Sequence, residues 1–345
     1  MIGKTNAIQS AGVELSIVVS VTTGSTVTAT KGAKTVTGTA ASGSCTLIVP
    51  EAGTWSVTAT LSGQTSNTKA VNVVDSYSVA LSYSYASTTL NNNDWDVISE
   101  VSNNGHGANY WAIGDRKAVT LDGTVGNFTF SSVGTYAFII GFDHNSSYEG
   151  TNRIHFQLAK TALSGGSDVC FTDGQYGSSV SSTGYFNMNS TNTNVGGWSS
   201  SQMRSLLGTS LSSYSGKLIG ALPSALRSVL KSVTKYTDNE GNSSTSAAHV
   251  TATTDYLFLL AEYEVFGNIS QANTNESAKQ AQYAYYSAGN SKIKYKHTDT
   301  ETAAIWWLRS PLASYSTYFV NVRTSENVSG YTAKYSYGVA PGFCV

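Results

Sequence analysis

At 345 residues the chain is long enough for two or three domains and a large core. Its formal net charge is −1 and only 12% of its residues are charged, about half the usual share. Such neutrality argues against a nucleic-acid binder, which needs a basic stripe, and the lack of a long unbroken apolar run argues against a membrane-spanning helix.

In chain order, Met1 is followed by IGKTNAIQSAG, which lacks a long apolar h-region, so no signal peptide is expected. From residue 12 to about 83 apolar and polar residues alternate at period two, in short β-rich runs such as SIVVSVTTGSTVTAT and SCTLIVPEAGTWSVTATLSGQT. Gly24-Ser25, Lys31-Gly32, Ser42-Gly43 and Ser62-Gly63 mark turns between them. Strands of this length and spacing predict a small all-β sandwich over residues 1–84, with Val27, Ala29, Leu47, Val49, Trp55, Val57 and Ala59 facing inward. A boundary falls near Ser82–Leu90, and a second domain is expected over residues 90–345.

That second domain opens with DWDVISEVSNN, a short helix in which Asp94 can cap and Trp95, Ile98 and Val101 turn inward. YWAIGDRKAVTLDG, NFTF and TYAFIIGFDHN read as strands, and RIHFQLAKT as another with Ile154, Phe156 and Leu158 on one face. SSSQMRSLLG predicts a helix capped by Ser199 or Ser200 and stopped by Gly208. In ALPSALRSVLKSV, Leu222, Leu226, Val229, Leu230 and Val233 fall at helical spacing, with Pro223 in the first turn. TTDYLFLLAEYEVFGN reads as a buried strand or helix. In the closing stretch, Trp306 and Trp307 serve two packing layers and Arg309, Ser310 and Pro311 are expected to stop the strand. Short mixed elements without βαβ alternation make this an α+β domain.

Little in the chain carries chemistry. Cys45, Cys170 and Cys344 are an odd number, widely spaced, and read as free buried thiols. The five histidines are scattered, and no spacing supplies a metal site or calls for a cofactor. Asp143-His144 reads as a loop-anchoring pair. Glu262 and Glu264 are the one carboxylate pair that could do acid–base work, and their structural alternative is a bond to backbone or to Arg309. The segment Trp306–Val345, by contrast, interleaves tyrosines with Ser, Thr and Asn. Tyrosine supplies large, stiff, amphipathic contact area and Ser and Asn adaptable hydrogen bonds, the mixture a binding loop uses.

Two resemblances add to this reading. Through GSTVTAT and GSCTLIVPEAGTWSVTATLSGQT the first domain resembles the immunoglobulin-like or carboxypeptidase-regulatory-like repeats of phage tail and bacterial surface proteins, which implies a spacer or attachment module. Through GDRKAVTL, FIIGFDH, NVGGWSSSQMR, LPSALRSVLKSVTK, DYLFLLAEYEVFG, QYAYY, IWWLRSP and GVAPGFCV, residues 90–345 resemble a WWLRSP-containing family of unknown biochemical function, which is similar to the C-type lectin-like fold and to the variable proteins of diversity-generating retroelements. Val339-Ala340-Pro341 departs from that pattern, where an Arg is expected before the proline. The resemblance implies a hypervariable segment at 306–345 on a rigid scaffold, a place at a phage tail-fibre tip in the virion, a host-cell receptor that is protein or glycan, tail-protein contacts through the first domain, and a homotrimer. Adenine-directed mutagenesis of AAC or AAT codons reaches Tyr, Ser, Asn and Thr without making a stop, in keeping with the composition of this segment. The residues implied as ligand-binding are Ser314, Tyr315, Ser316, Tyr318, Asn321, Arg323, Ser325, Asn327, Tyr331, Tyr335 and Tyr337, with Trp306, Trp307, Leu308, Gly338, Pro341 and Phe343 as framework. The competing expectation is a bacterial surface adhesin or a glycan-active enzyme that uses Glu262 and Glu264.

Overall fold

The computed structural model describes residues 15–74, 76–80 and 86–345. The segment read for a signal peptide and the first part, 82–85, of the expected inter-domain boundary therefore lie outside the described residues. The chain divides into two compact units that part between residues 85 and 86.

The first unit is all β. Its strands are β1 (Ser16–Ser20), β2 (Thr26–Lys31), β3 (Lys34–Thr39), β4 (Ser44–Ile48), β5 (Gly53–Leu61), β6 (Gln64–Thr65), β7 (Lys69–Val73) and β8 (Ser76–Ala80). One sheet runs β4-β1-β8; the other runs β3-β2-β5-β6, with β7 also on β5. Period-two alternation decides which side chains are inside: on β5, Trp55, Val57 and Ala59 are buried while Thr54 and Ser56 are exposed. Ile17, Val19, Val27, Ala29, Leu47, Val49, Val71 and Val73 complete one core shared by both sheets. Ser62 and Gly63 both have positive φ, the two-residue turn whose twist suits the β5–β6 hairpin.

The second unit is also β-rich, with short helices around several sheets. It opens with α1 (Trp95–Asn103) behind Asp94 and α2 (Gly107–Tyr110), then β9 (Arg116–Val125), β10 (Phe128–Phe142), α3 (Ser146–Glu149), β11 (Ile154–Lys160) and β12 (Val169–Cys170). There follow α4 (Gln202–Leu207), α5 (Leu218–Ala221), α6 (Ser224–Arg227), β13 (Val233–Asp238), β14 (Val250–Asp255), β15 (Leu257–Phe258) and α7 (Glu262–Phe266). The unit closes with α8 (Ala284–Ser287), β16 (Lys294–Lys296), β17 (Asp299–Ala304), β18 (Trp306–Pro311), β19 (Tyr318–Val322), β20 (Val328–Thr332) and β21 (Gly342–Cys344). The central sheet is β15-β21-β11-β10-β9, so the chain's last strand is inserted between elements from far upstream.

Several local expectations change. β11 is buried along its whole length, not on one face, because it lies inside the central sheet with both sides covered. Its polar residues find partners there: Gln157 donates to the Ala340 carbonyl at 2.9 Å and accepts from the Tyr286 hydroxyl at 2.6 Å. The helix expected across 222–233 is the single turn α6, with α5 ending just before it at Ala221. Leu222 before Pro223 is extended, as a residue preceding proline prefers, and by Val233 the chain is already strand. The cap of α4 is Ser201, whose hydroxyl accepts from the Arg204 amide at 3.1 Å. β18 runs through Arg309 and Ser310 to Pro311. Its ladder to β19 skips between Trp307 and Pro311, and the Arg309 amide bonds the Leu260 carbonyl instead, at 2.9 Å.

Candidate functional site

The Trp306–Val345 segment is anchored through β18. Trp306, Trp307, Leu308, Gly338, Pro341 and Phe343 are all buried. Arg309 is fully buried and forks onto Glu264 through Nη1 at 2.5 Å and Nη2 at 2.8 Å, while its Nε bonds Thr237 at 2.7 Å. Such a bidentate pair fixes orientation as well as charge. Lys235 bonds the same Glu264 at 3.1 Å, Glu149 at 2.5 Å and the Tyr283 hydroxyl at 2.8 Å. Burial opposes ionisation of Glu264, but Arg309 and Lys235 overcome it and hold the carboxyl well below its usual range. Ser310 donates to Glu276 at 2.7 Å, and burial pushes that carboxyl up to about 7. Glu262 accepts from the backbone amides of Ser270 at 2.6 Å and Ala272 at 2.7 Å. Both members of the expected acid–base pair are thus committed to the scaffold and buried.

Among the described residues, His144, Glu149 and Glu264 bring ligand atoms within 4.8 Å of one another, a spacing that could hold a metal ion. Lys235 bonds both carboxylates, so the cluster already holds a cation where a metal would sit. His144 stacks on Tyr283 at 3.6 Å, and burial with Lys235 nearby pushes its pKa down to about 3. The three cysteines are free and buried, and burial raises Cys170 and Cys344 to about 12.

Upon this scaffold lies the sheet β18-β19-β20 with the loop before β19. The tyrosines of this sheet, of that loop and of the stretch after β20 form a continuous series of ring contacts. Tyr315 stacks on Tyr318 at 5.2 Å, Tyr318 on Tyr331 at 6.4 Å, and Tyr331 meets Tyr335 at 4.7 Å and Tyr337 at 5.2 Å. Tyr337 in turn meets Trp307 at 5.3 Å, so the strip runs from solvent into the core. Of the residues singled out in the sequence, Ser314, Tyr315, Ser325 and Asn327 are exposed, and Ser316, Tyr318, Arg323, Tyr331 and Tyr335 are half-buried. Asn321 and Tyr337 are buried at 0% and 5% exposure and belong to the floor rather than to the accessible face. Ser325 and Asn327 lie in the β19–β20 turn, a strand length (roughly 13 Å) from Tyr318. Arg323 links the two ends: it bonds Ser329 at 3.1 Å and lies 5.9 Å over the Tyr331 ring.

Two contributors escape a reading of the segment alone. Asn194, fully buried, donates from its amide to the carbonyls of Tyr315 at 2.9 Å, Tyr318 at 2.8 Å and Leu312 at 3.3 Å, fixing the loop that presents the strip. It opens the NVGGWSSSQMR motif, so a signal existed without a role attached. In that motif a Cβ on Gly197 would stand 2.1 Å from the Asp238 carbonyl, which explains glycine there. Tyr176 meets Tyr337 at 5.7 Å and extends the aromatic series, and nothing in its sequence neighbourhood marks it.

Residues 177–345 match a family model described as a domain of unknown function (DUF6273). The match includes Arg309, Glu264, Asn194 and the tyrosine strip and leaves out β9, β10 and β11. No curated protein and no solved structure matches the chain.

Proposed function

We propose that the chain is a non-enzymatic receptor-binding or adhesion protein of a phage tail fibre or tail tip. On this reading the second unit is a C-type lectin-like scaffold that presents a diversified Tyr/Ser/Asn-rich face, and the first is an immunoglobulin-like spacer that joins it to other tail proteins in a homotrimeric virion component. The observation that carries the reading is the unbroken series of tyrosine contacts from Tyr315 to Tyr337, held on a base with little freedom to move. Pre-ordering such a face lowers the conformational cost of binding, and tyrosine anchors supply contact area. The alternative, a glycan-active enzyme built on Glu262 and Glu264, is disfavoured by the bonds that occupy both carboxylates. The test replaces Tyr315, Tyr318 and Tyr335 together by Ala and measures binding to host cell envelopes and to immobilised glycans, with light scattering to read the assembly. Loss of binding with an unchanged melting curve is expected, at about 1–3 kcal/mol per anchor. Binding equal to the parent's would sink the reading, and a monomer by light scattering would remove the trimer.

A further inference from the structure

Away from the tyrosine face, Lys160 at the end of β11 and Asp168 just before β12 are antiparallel bridge partners across a tight excursion, with Thr161 N bonded to Ser167 O at 3.1 Å. Both side chains are nearly out of solvent, at 5% and 8% exposure. The Lys160 amine contacts Asp168 Oδ1 and donates to the Tyr285 hydroxyl at 2.8 Å, while that hydroxyl donates to Asp168 Oδ2 at 3.2 Å. The Phe138 ring lies 4.7 Å from the amine and the Tyr285 ring 5.2 Å, so the pair sits in an aromatic enclosure. A second amine, fully buried Lys294, has its Nζ 3.8 Å from Asp168 Oδ2 and no hydrogen-bond partner of its own.

From this arrangement we infer that Lys160 and Asp168 condense into an intramolecular isopeptide bond. A buried amine and a buried carboxyl in an apolar surround favour the neutral pair over the ion pair. Burial, with Lys294 and Arg116 nearby, pushes the Lys160 amine down to about 7, so an unprotonated nucleophile is available near neutral pH. The balance of the step is simple. The lone pair on Lys160 Nζ forms a bond to Asp168 Cγ. The Tyr285 hydroxyl accepts a proton from Nζ and passes its own to Oδ2, and the Cγ–Oδ2 bond breaks. An amine and a carboxylic acid become a secondary amide and one water, with no change of oxidation state. Tyr285 is the proton relay because it touches both atoms that exchange protons. The Lys294 amine, itself pushed down to about 7 by burial, stands 3.8 Å from the departing oxygen. Exclusion of solvent from the enclosure opposes the reverse hydrolysis. The product would staple β11 to β12 and hold the 161–167 excursion.

The experiment uses the full chain, denatured and digested with trypsin, and reads peptide masses. A free Lys160 is cut, giving one peptide that ends at Lys160 and one that runs from Thr161 to Arg204. A Lys160 acylated by Asp168 is not cut. The expected product is the single peptide Ile154–Arg204, one water lighter than its sequence and without backbone fragments between residues 160 and 168. Asp168→Ala should restore cleavage after Lys160 and the full mass. Tyr285→Phe, which keeps the ring and removes the relay, should restore both in most of the protein. Full mass with cleavage after Lys160 in the parent chain overturns the inference and leaves an ordinary buried ion pair. A water lost equally in Asp168→Ala overturns it too, since the loss would then lie elsewhere.

Discussion

His144 shows how a single buried group sets the response of the second unit to pH. Its ordinary pKa is near 6.5, and in the fold it stays neutral down to about 3. An unfolded chain therefore takes up a proton below pH 6.5 that the folded chain refuses, and stability falls as pH falls through that window. His155, driven down first by burial, and His297, pushed to about 4 by burial, act in the same direction. Glu276 opposes them: between its ordinary 4.5 and about 7 the folded state holds a proton that the unfolded state has released, so its contribution grows on acidification. Glu149, raised first by burial, opposes the histidines in the same sense as Glu276, so the slope on acidification is set by the three histidines against these two carboxyls. His144→Phe keeps the stack on Tyr283 and removes one of these protons. Chemical denaturation at several pH values should show its slope shallower than the parent's by about 1.4 kcal/mol per pH unit. An unchanged slope would mean that His144 titrates normally.

At the scale of elements, the loop before β19 is the part on which presentation of the strip depends. The buried Asn194 amide donates to the carbonyls of Leu312, Tyr315 and Tyr318, and the last two also accept from the backbone amides of Tyr318 and Leu312, at 3.4 Å and 3.0 Å. Asn194→Ala removes one donor from each of these three carbonyls, at about 1–3 kcal/mol in all, and loosens the loop. We expect a lower melting temperature together with weakened binding of whatever Tyr315 and Tyr318 contact, although Asn194 itself is out of reach of a ligand. Binding unchanged in a folded variant would show that the loop needs no pre-ordering. This element also shows where sequence reading stops. The tyrosine run, the alternation of Trp55, Val57 and Ala59, and the amphipathic turn of α4 are local patterns, and period alone places their side chains. The burial of Asn321 and Tyr337, the pinning by Asn194 and the two-sided burial of β11 depend on partners far away in the chain. Asn194 reaches Tyr315 across 121 residues, and Gln157 reaches Ala340 across 183. The spacing of 222–233 is helical, yet proline geometry and the demand of β13 for Val233 outweigh it.

For the whole molecule, the match to a family model and the unit that folds have different edges. The match begins at residue 177, but the chain's last strand, β21, pairs with β11, placing Phe343 against Phe156. Trp95 on α1 packs edge-on against Phe156 at 5.5 Å and Phe343 at 6.0 Å, and the Ser102 hydroxyl donates to the Val345 carbonyl at 2.6 Å. α1 and the C-terminus thus close one core, while the core of the first unit draws only on its own residues. A chain of residues 86–345 should therefore unfold in one cooperative step at the temperature of the matching transition in the full protein. A chain of residues 107–345 loses Trp95, a buried aromatic whose removal alone costs about 3–5 kcal/mol, and should be marginal or unfolded. A chain of residues 177–345 lacks β9, β10 and β11, leaves the edge of β21 that pairs with β11 open to other molecules and should aggregate. Calorimetry and light scattering on the three fragments decide the matter. A soluble, cooperatively folding 177–345 fragment would show that β9, β10 and β11 are an addition to a self-sufficient domain rather than half of its core.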